Sequence, residues 1–155
     1  MKGQLLRDPA RFLAFGFGAG LAPRMPGTFG TLVAVPLFWL VADLPAAAYL
    51  GCVLLVVGIG IWVCDDAARF LGVHDHPAIV WDEVAGYLIT MIGFSSDGVW
   101  WLAGFLVFRV FDIWKPWPIR WADRHVGGGL GIMLDDVLAG LMACATLHVL
   151  RLLLV

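Results

Sequence analysis

Residues 46–64 of the chain, AAAYLGCVLLVVGIGIWVC, contain no charged side chain and no proline. A run of this length approaches the ~20 apolar residues that a helix needs to cross a bilayer. Together with this run, the other apolar runs, which are bounded by glycine, proline and charged residues, predict five helices at roughly 31–42, 46–64, 79–94, 98–115 and 135–155. The sequence therefore predicts an all-α protein, a polytopic membrane helical bundle with about four to five short transmembrane helices.

The composition of the whole chain favours the same class. Hydrophobic residues make up 61% of the 155 residues, charged residues only 14%, and the mean hydropathy is +0.90. Soluble domains carry about a quarter charged residues, so this chain lacks the side chains for a polar exterior. The net charge of −2 gives no basic field for nucleic acid, and we expect a membrane as the partner instead. The oligomeric state is left open.

The N-terminal apolar stretch 12–22 is too short for a span and contains Gly16, Gly18 and Gly20. We expect an interfacial or re-entrant segment there rather than a cleaved signal peptide. Because no repeat, low-complexity tract or linker interrupts the chain, we expect residues 1–155 to form a single domain.

The lysines and arginines predict an orientation. Lys2 and several arginines precede the first helix, and more basic residues lie in the connections 65–78 and 116–134. The connections near 43–45 and 94–98 contain none. By the positive-inside rule the basic segments are cytoplasmic, and most acidic residues fall on the same side. The pair Asp65 and Asp66 is interpreted as a solvated loop feature.

Four blocks of sequence carry the candidate chemistry. The first, PGTFGT at 26–31, opens a helix, where glycines and the hydroxyls of Thr28 and Thr31 suit a phosphate oxygen. The alternative is that one of these threonines merely caps the helix.

The second block, HDHPAIVWDE at 74–83, places Asp82 and Glu83 directly before apolar helix. A carboxylate at mid-membrane depth costs about 2.5–3.5 kcal/mol, so both need partners, and such oxygens suit Mg²⁺. His74 and His76 leave zinc binding and a solvated loop as alternatives. The functional expectation for His76 is a proton donor to a leaving group.

The third block is FRVFDIWKPWPIR at 108–120. Arg109, Asp112 and Lys115 are spaced by three and share one side of a helix end, which a structural ion-pair cluster would also explain. Lys115 and Arg120, interleaved with tryptophans, suit an anionic lipid headgroup at the membrane surface.

The fourth block, GGGLGIMLDDVLAG at 127–140, predicts a flexible glycine loop before the last helix. We expect Asp135 to cap that helix and Asp136 to face a site, because adjacent helical residues point about 100° apart. Gly140 with Ala139 should allow close helix packing.

These blocks, in the same order and at similar spacing, resemble the phosphatidylglycerophosphatase A family over about residues 12 to 140. The resemblance implies a Mg²⁺-dependent lipid phosphatase of the bacterial inner membrane, with several spans and a cytoplasmic active site. It would convert phosphatidylglycerophosphate, an anionic phospholipid, to phosphatidylglycerol and phosphate.

The resemblance and the residue chemistry together predict three sets of site residues. The acidic positions that match the family motifs, and so the expected metal ligands, are Asp82, Glu83, Asp112, Asp135 and Asp136. The expected catalytic residues are His76, Asp82, Glu83, Asp112 and Asp136. The expected substrate-binding residues are Thr28, Thr31, Arg109, Lys115 and Arg120.

We favour direct attack by a metal-activated water, and a covalent aspartyl-phosphate is the alternative. The runner-up function is an ion-coupled membrane transporter. A transporter predicts charges at mid-bilayer or on both faces and often an internal repeat, whereas here the charges gather on one face. A third alternative, a purely structural membrane subunit, does not explain the glycine–acid blocks.

Overall fold

The computed structural model describes residue 3 and residues 7–155; Lys2 lies outside them. Every regular element in this described part is helical, so the all-α prediction is confirmed. The helices in chain order are α1 Pro9–Ala14, α2 Pro26–Val41, α3 Ala46–Leu71, α4 Trp81–Thr90, α5 Trp100–Trp114, α6 Ile119–His125 and α7 Gly128–Leu154, with a 3₁₀ turn at Ala19–Leu21.

α3 is longer than the predicted 46–64. It ends only at Gly72, whose left-handed φ of 67° lets its N–H reach the carbonyls of the last turn. The prediction of a solvated loop at Asp65 and Asp66 is therefore wrong. Asp65 pairs with Arg69 four residues later, at 2.7 Å, and this spacing supports a helix through the charged residues.

α7 is also longer than predicted, because it begins at Gly128 rather than near residue 135. The expected flexible glycine loop is instead largely the first turn of this helix. Its glycines permit close backbone contacts. A Cβ on Gly129 would collide with the carbonyl oxygen of Ile61 in α3, and a Cβ on Gly131 with that of Val126.

The short helix α4 lies at the centre of the fold. All of its residues except Glu83 are buried, and it packs against α2, α3, α5 and α7. It approaches α7 closely, since a Cβ on Gly140 would lie 2.5 Å from the backbone oxygen of Gly86. The prediction that Gly140 permits close packing is confirmed.

The outer surface of the bundle is apolar. α3 and α7 are long and apolar enough to cross a membrane, and less than a third of the apolar window of each is buried. α2 is apolar but shorter. Leu54 in α3 is 72% exposed and Leu152 in α7 is 82% exposed. Large exposed apolar patches are rare on soluble monomers, so these helices fit a membrane-associated protein.

Candidate active site

The first turn of α4 carries the two acids of the second block. Asp82 is buried, and Glu83 is 13% exposed. The preceding residues hold this turn in place: the Val80 N–H donates to the Ala14 carbonyl at 2.9 Å, and the Trp81 indole donates to the Val56 carbonyl at 3.0 Å. Both acids therefore project from a firmly anchored helix N-terminus, where the helix dipole favours negative charge.

Asp136 of α7 joins these two acids through the close packing of α4 and α7. One carboxylate oxygen from each of Asp82, Glu83 and Asp136 lies within 4.8 Å of the others, and we call these three residues the carboxylate centre. Asp82 Oδ1, Glu83 Oε2 and Asp136 Oδ2 are buried without a hydrogen-bond partner. Because unpartnered buried anions are costly, the donor set fits a divalent cation, for which carboxylate oxygens are the usual hard ligands.

Arg109 and Asp112 of α5 lie beside the centre. The two side chains form an ion pair, as their spacing of three predicted, and Arg109 Nη1 also lies 4.0 Å from Glu83 Oε1. The Asp112 carboxylate neighbours that of Asp136. The Arg109 Nε is buried without a partner, which leaves an N–H free for an anion.

The first turn of α2 packs against Glu83 and Arg109. A Cβ on Gly27 would collide with Glu83 Oε1 and would lie 3.2 Å from Arg109 Nη1. Thr31 is fully buried and its hydroxyl donates to the Gly27 carbonyl at 2.9 Å, while Thr28 is half-buried. Neither threonine caps α2, since the cap position is Met25 in a left-handed conformation. The capping alternative is therefore wrong.

Lys115 forms its ion pairs with acids that are not members of the carboxylate centre. Its Nζ donates to Asp123 Oδ1 and to Asp135 Oδ2, both at 2.9 Å. Burial alone would lower the pKa of Lys115, but the charges and hydrogen bonds of Asp135 and Asp123 outweigh burial and raise that pKa above its usual value. Lys115 is thus a charged link between the end of α5, α6 and α7.

Asp135 lies well inside α7 and does not cap it, so that prediction is wrong. The physical reason is that the helix starts at Gly128, two turns earlier. The Oδ1 of Asp135 accepts from the Asp136 N–H at 3.0 Å, and Oδ2 is bonded to Lys115. Both oxygens of the Asp135 carboxylate therefore have hydrogen-bond partners, and one of these partners is the backbone of Asp136, a member of the carboxylate centre.

The two remaining candidates, Arg120 and His76, form their hydrogen bonds outside this cluster. Arg120 donates from Nη2 to the Trp114 carbonyl at 3.3 Å and lines a cavity formed by the tryptophan loop. His76 Nδ1 accepts from the Ala78 N–H at 3.1 Å. In the described chain, the metal-type cluster contains carboxylates alone and neither His74 nor His76, which disfavours the zinc alternative.

Three contacts between distant parts of the chain were not predicted from the sequence. Asp65 Oδ1 accepts from the Gly129 N–H at 3.0 Å, and Asp66 pairs with Arg11 of α1 at 3.1 Å. The Asp65–Arg69 spacing signals a helix, but no local pattern indicates the contacts with Gly129 and Arg11. The approach of Gly27 to Glu83 was missed for the same reason.

The described part of the chain is all-helical and includes two long apolar helices, which fit a membrane-associated protein. Its buried carboxylate centre and the unpartnered N–H of Arg109 form a site suited to a cation and an anion together. The chain belongs to the phosphatidylglycerophosphatase A family, whose pattern it matches over residues 12–151.

Two relatives illustrate the family. The chain is 47% identical over 144 residues to "Phosphatidylglycerophosphatase A" of Escherichia coli (strain K12), covering 92% of this chain and 84% of that protein. It is 42% identical over 140 residues to the protein of the same name from Haemophilus influenzae, covering 89% and 86% of the two chains. No solved structure matches the chain.

Proposed function

We propose that this protein is a phosphatidylglycerophosphatase that hydrolyses phosphatidylglycerophosphate to phosphatidylglycerol and inorganic phosphate with Mg²⁺. Family membership supports the activity and the substrate. The observation that carries the chemistry is the carboxylate centre, whose three unpartnered buried oxygens lie beside the free N–H of Arg109.

Asp82, Glu83 and Asp136 would hold Mg²⁺, and Asp112, next to Asp136, would complete or orient this ligand set. A bound Mg²⁺ supplies charge neutralisation for the phosphate oxygens and lowers the pKa of a water molecule. We assign Asp135 a supporting role instead, because its carboxylate is already bonded to Lys115.

The phosphate would lie between Arg109 and the first turn of α2. Arg109 offers a buried N–H without a partner, and the absence of a side chain on Gly27 lets the α2 backbone come close to Glu83 and Arg109. The N-terminus of α2, with the half-buried Thr28, adds the positive end of a 16-residue helix. Thr31 holds this turn through its bond to the Gly27 carbonyl.

In the reaction a water oxygen bonds to phosphorus and releases a proton, the bond from phosphorus to the glycerol oxygen breaks, and that oxygen takes up a proton in exchange. We assign His76 to the leaving glycerol oxygen. Its Nδ1 accepts a hydrogen bond from the Ala78 N–H, so its Nε2–H would donate a hydrogen bond to this oxygen as it leaves. An aspartyl-phosphate intermediate is the alternative.

We further propose a multi-pass protein of the bacterial inner membrane with about four to five spans and a cytoplasmic active site. The distribution of lysine and arginine supports this orientation. α2 and α5 are shorter than a usual span, and in this proposal they cross the membrane with α2 packed against α4 and α5 packed against α7.

The test is phosphate release from phosphatidylglycerophosphate in detergent micelles by the purified full-length protein. We expect release with Mg²⁺, loss with EDTA, and recovery when Mg²⁺ is added in excess. Glycerol phosphate without acyl chains is the matched control substrate and should turn over much more slowly, since the lipid portion positions the phosphate. Absence of release with Mg²⁺ would refute the function, and full activity in EDTA would refute the metal site.

A further inference from the structure

A cavity of about 490 Å³ lies where α5 ends and α6 begins. Its walls include Trp114, Trp117, Trp121, Arg120, Arg124 and His125, and we call it the tryptophan cavity. No residue of the carboxylate centre lines it, and neither does Arg109. A phosphate group in this cavity would therefore not contact the centre.

The tryptophan cavity holds positive charge that the protein does not neutralise. Within residues 7–155, Arg120 and Arg124 form no ion pair, and the hydrogen bond of Arg120 goes to a neutral carbonyl, that of Trp114. Lys115, in the same connection, is bonded to two carboxylates. An anion entering this region would thus meet the two arginines rather than the lysine.

The aromatic walls indicate where this anion lies. Trp114, Trp117 and Trp121 are 64%, 79% and 52% exposed. The His125 ring stacks on Trp121 with centroids 5.1 Å apart. Exposed indole rings are unfavourable in water but favoured at the level of lipid headgroups, where one side is apolar and the other wet. The arginines of the cavity would then lie at the depth of lipid phosphates.

We propose that the tryptophan cavity binds the headgroup phosphate of an anionic phospholipid of the surrounding membrane, a molecule distinct from the lipid being hydrolysed. The inference rests on the proposed function for the membrane setting and adds a second lipid to it. Lys115, at the end of α5, bonds to Asp123 of α6 and to Asp135 of α7. A lipid bound where α5 meets α6 would therefore also stabilise the position of α6 relative to α7, the helix that carries Asp136.

The test uses the full-length protein in phosphatidylcholine bilayers, into which brominated phosphatidylglycerol or brominated phosphatidylcholine is titrated. Bromine quenches nearby tryptophans, and three of the chain's eight tryptophans line the cavity. We expect wild type to be quenched at a lower mole fraction of phosphatidylglycerol than of phosphatidylcholine. The single variant Arg124→Gln should weaken this preference about fivefold, and the double variant Arg120→Gln with Arg124→Gln should abolish it.

Two control proteins separate charge from folding. The double variant Arg120→Lys with Arg124→Lys keeps both charges and should keep most of the preference. Arg69→Gln removes an exposed arginine on α3 that pairs with Asp65, outside the cavity, and should leave the preference unchanged. If the double glutamine variant fails to fold, the proposal is tested by the Arg124→Gln variant and by the comparison of the two lipids in wild type.

Equal quenching of wild type by the two lipids would overturn the proposal, as would an unchanged preference in Arg124→Gln and the double glutamine variant. Displacement of the lipid by equimolar inorganic phosphate would show a small-anion site and would also overturn it. The readout needs no turnover. A wild-type protein that shows the lipid preference but releases no phosphate would refute the proposed function and support this second site.

Discussion

Two adjacent aspartates on α7 meet opposite environments. The Asp135 side chain is 7% exposed, and its carboxylate is bonded to Lys115 and to a backbone N–H. Asp136 is equally buried, but its Oδ2 has no hydrogen-bond partner and its neighbours are further acids. Burial is therefore common to both, and the presence or absence of a compensating charge distinguishes them. A buried acid that is neutralised by a partner stabilises the fold, whereas a buried acid without a partner favours the binding of a cation.

The largest effect should follow from changing the uncompensated acids. Glu83→Gln and Asp136→Asn keep the shape but remove a negative charge from the cation site, so Mg²⁺-dependent turnover should fall by at least about 10³-fold. Without Mg²⁺ these variants should unfold at or above the wild-type temperature, because repulsion among the buried acids is relieved. Phosphate release and thermal unfolding in EDTA measure the two effects. Near wild-type turnover with unchanged Mg²⁺ dependence would show that the carboxylate centre is not the metal site.

The next largest effect should come from Gly27→Ala. The new methyl group would press on the Glu83 carboxylate and on Arg109, and a misplacement of about 1 Å at a reacting centre can cost on the order of 10²-fold in rate. Gly51→Ala is the matched control, since a Cβ there meets nothing within 4 Å. Turnover at saturating substrate is the measurement. Equal rates for the two variants would contradict the contact between α2 and the site.

Changing the neutralised acid should lower stability more than activity. Asp135→Asn replaces a charge-assisted bond to Lys115 and should lower the free energy of unfolding by about 1.5–3 kcal/mol. Its turnover should exceed that of Asp136→Asn. Lys115→Met should be at least as destabilising, because it leaves two carboxylates unpaired. Denaturant unfolding in detergent gives the free energies. If Asp135→Asn instead loses as much turnover as Asp136→Asn with unchanged stability, Asp135 is a metal ligand after all.

The smallest effect is expected for the partly exposed pair of Arg11 and Asp66. Their side chains are 20% and 38% exposed, so solvent screens the 3.1 Å contact. Asp66→Asn should cost about 0.2–1 kcal/mol of unfolding free energy, and less at high salt. The exposed Asp97 provides the control variant Asp97→Asn, which should change nothing. A cost above that range would place this pair in a drier environment than its exposure suggests.

The errors in the predicted bounds of α3 and α7 share one cause. Asp65, Asp66 and the run Gly127–Gly131 have the composition of loops, yet most of these residues belong to α3 and α7. Asp65 is stabilised by Arg69 and by the N–H of Gly129, and the glycines are needed because α7 starts against the backbone of α3. A composition that signals a loop locally can therefore be required inside a helix by a neighbour distant in sequence.

The sequence by itself determined the helical class, the apolar exterior and a short set of ionisable residues, because hydrophobic runs and the cost of charge near lipid are local properties of the chain. Only the tertiary structure decided which of these residues meet. Asp82 and Glu83 reach Asp136 because α4 and α7 approach at Gly86 and Gly140, while Lys115 bonds to Asp123 and Asp135 rather than to a member of the carboxylate centre. Which partner a charge finds depends on the packing of helices far apart in sequence, and no local pattern carries that information.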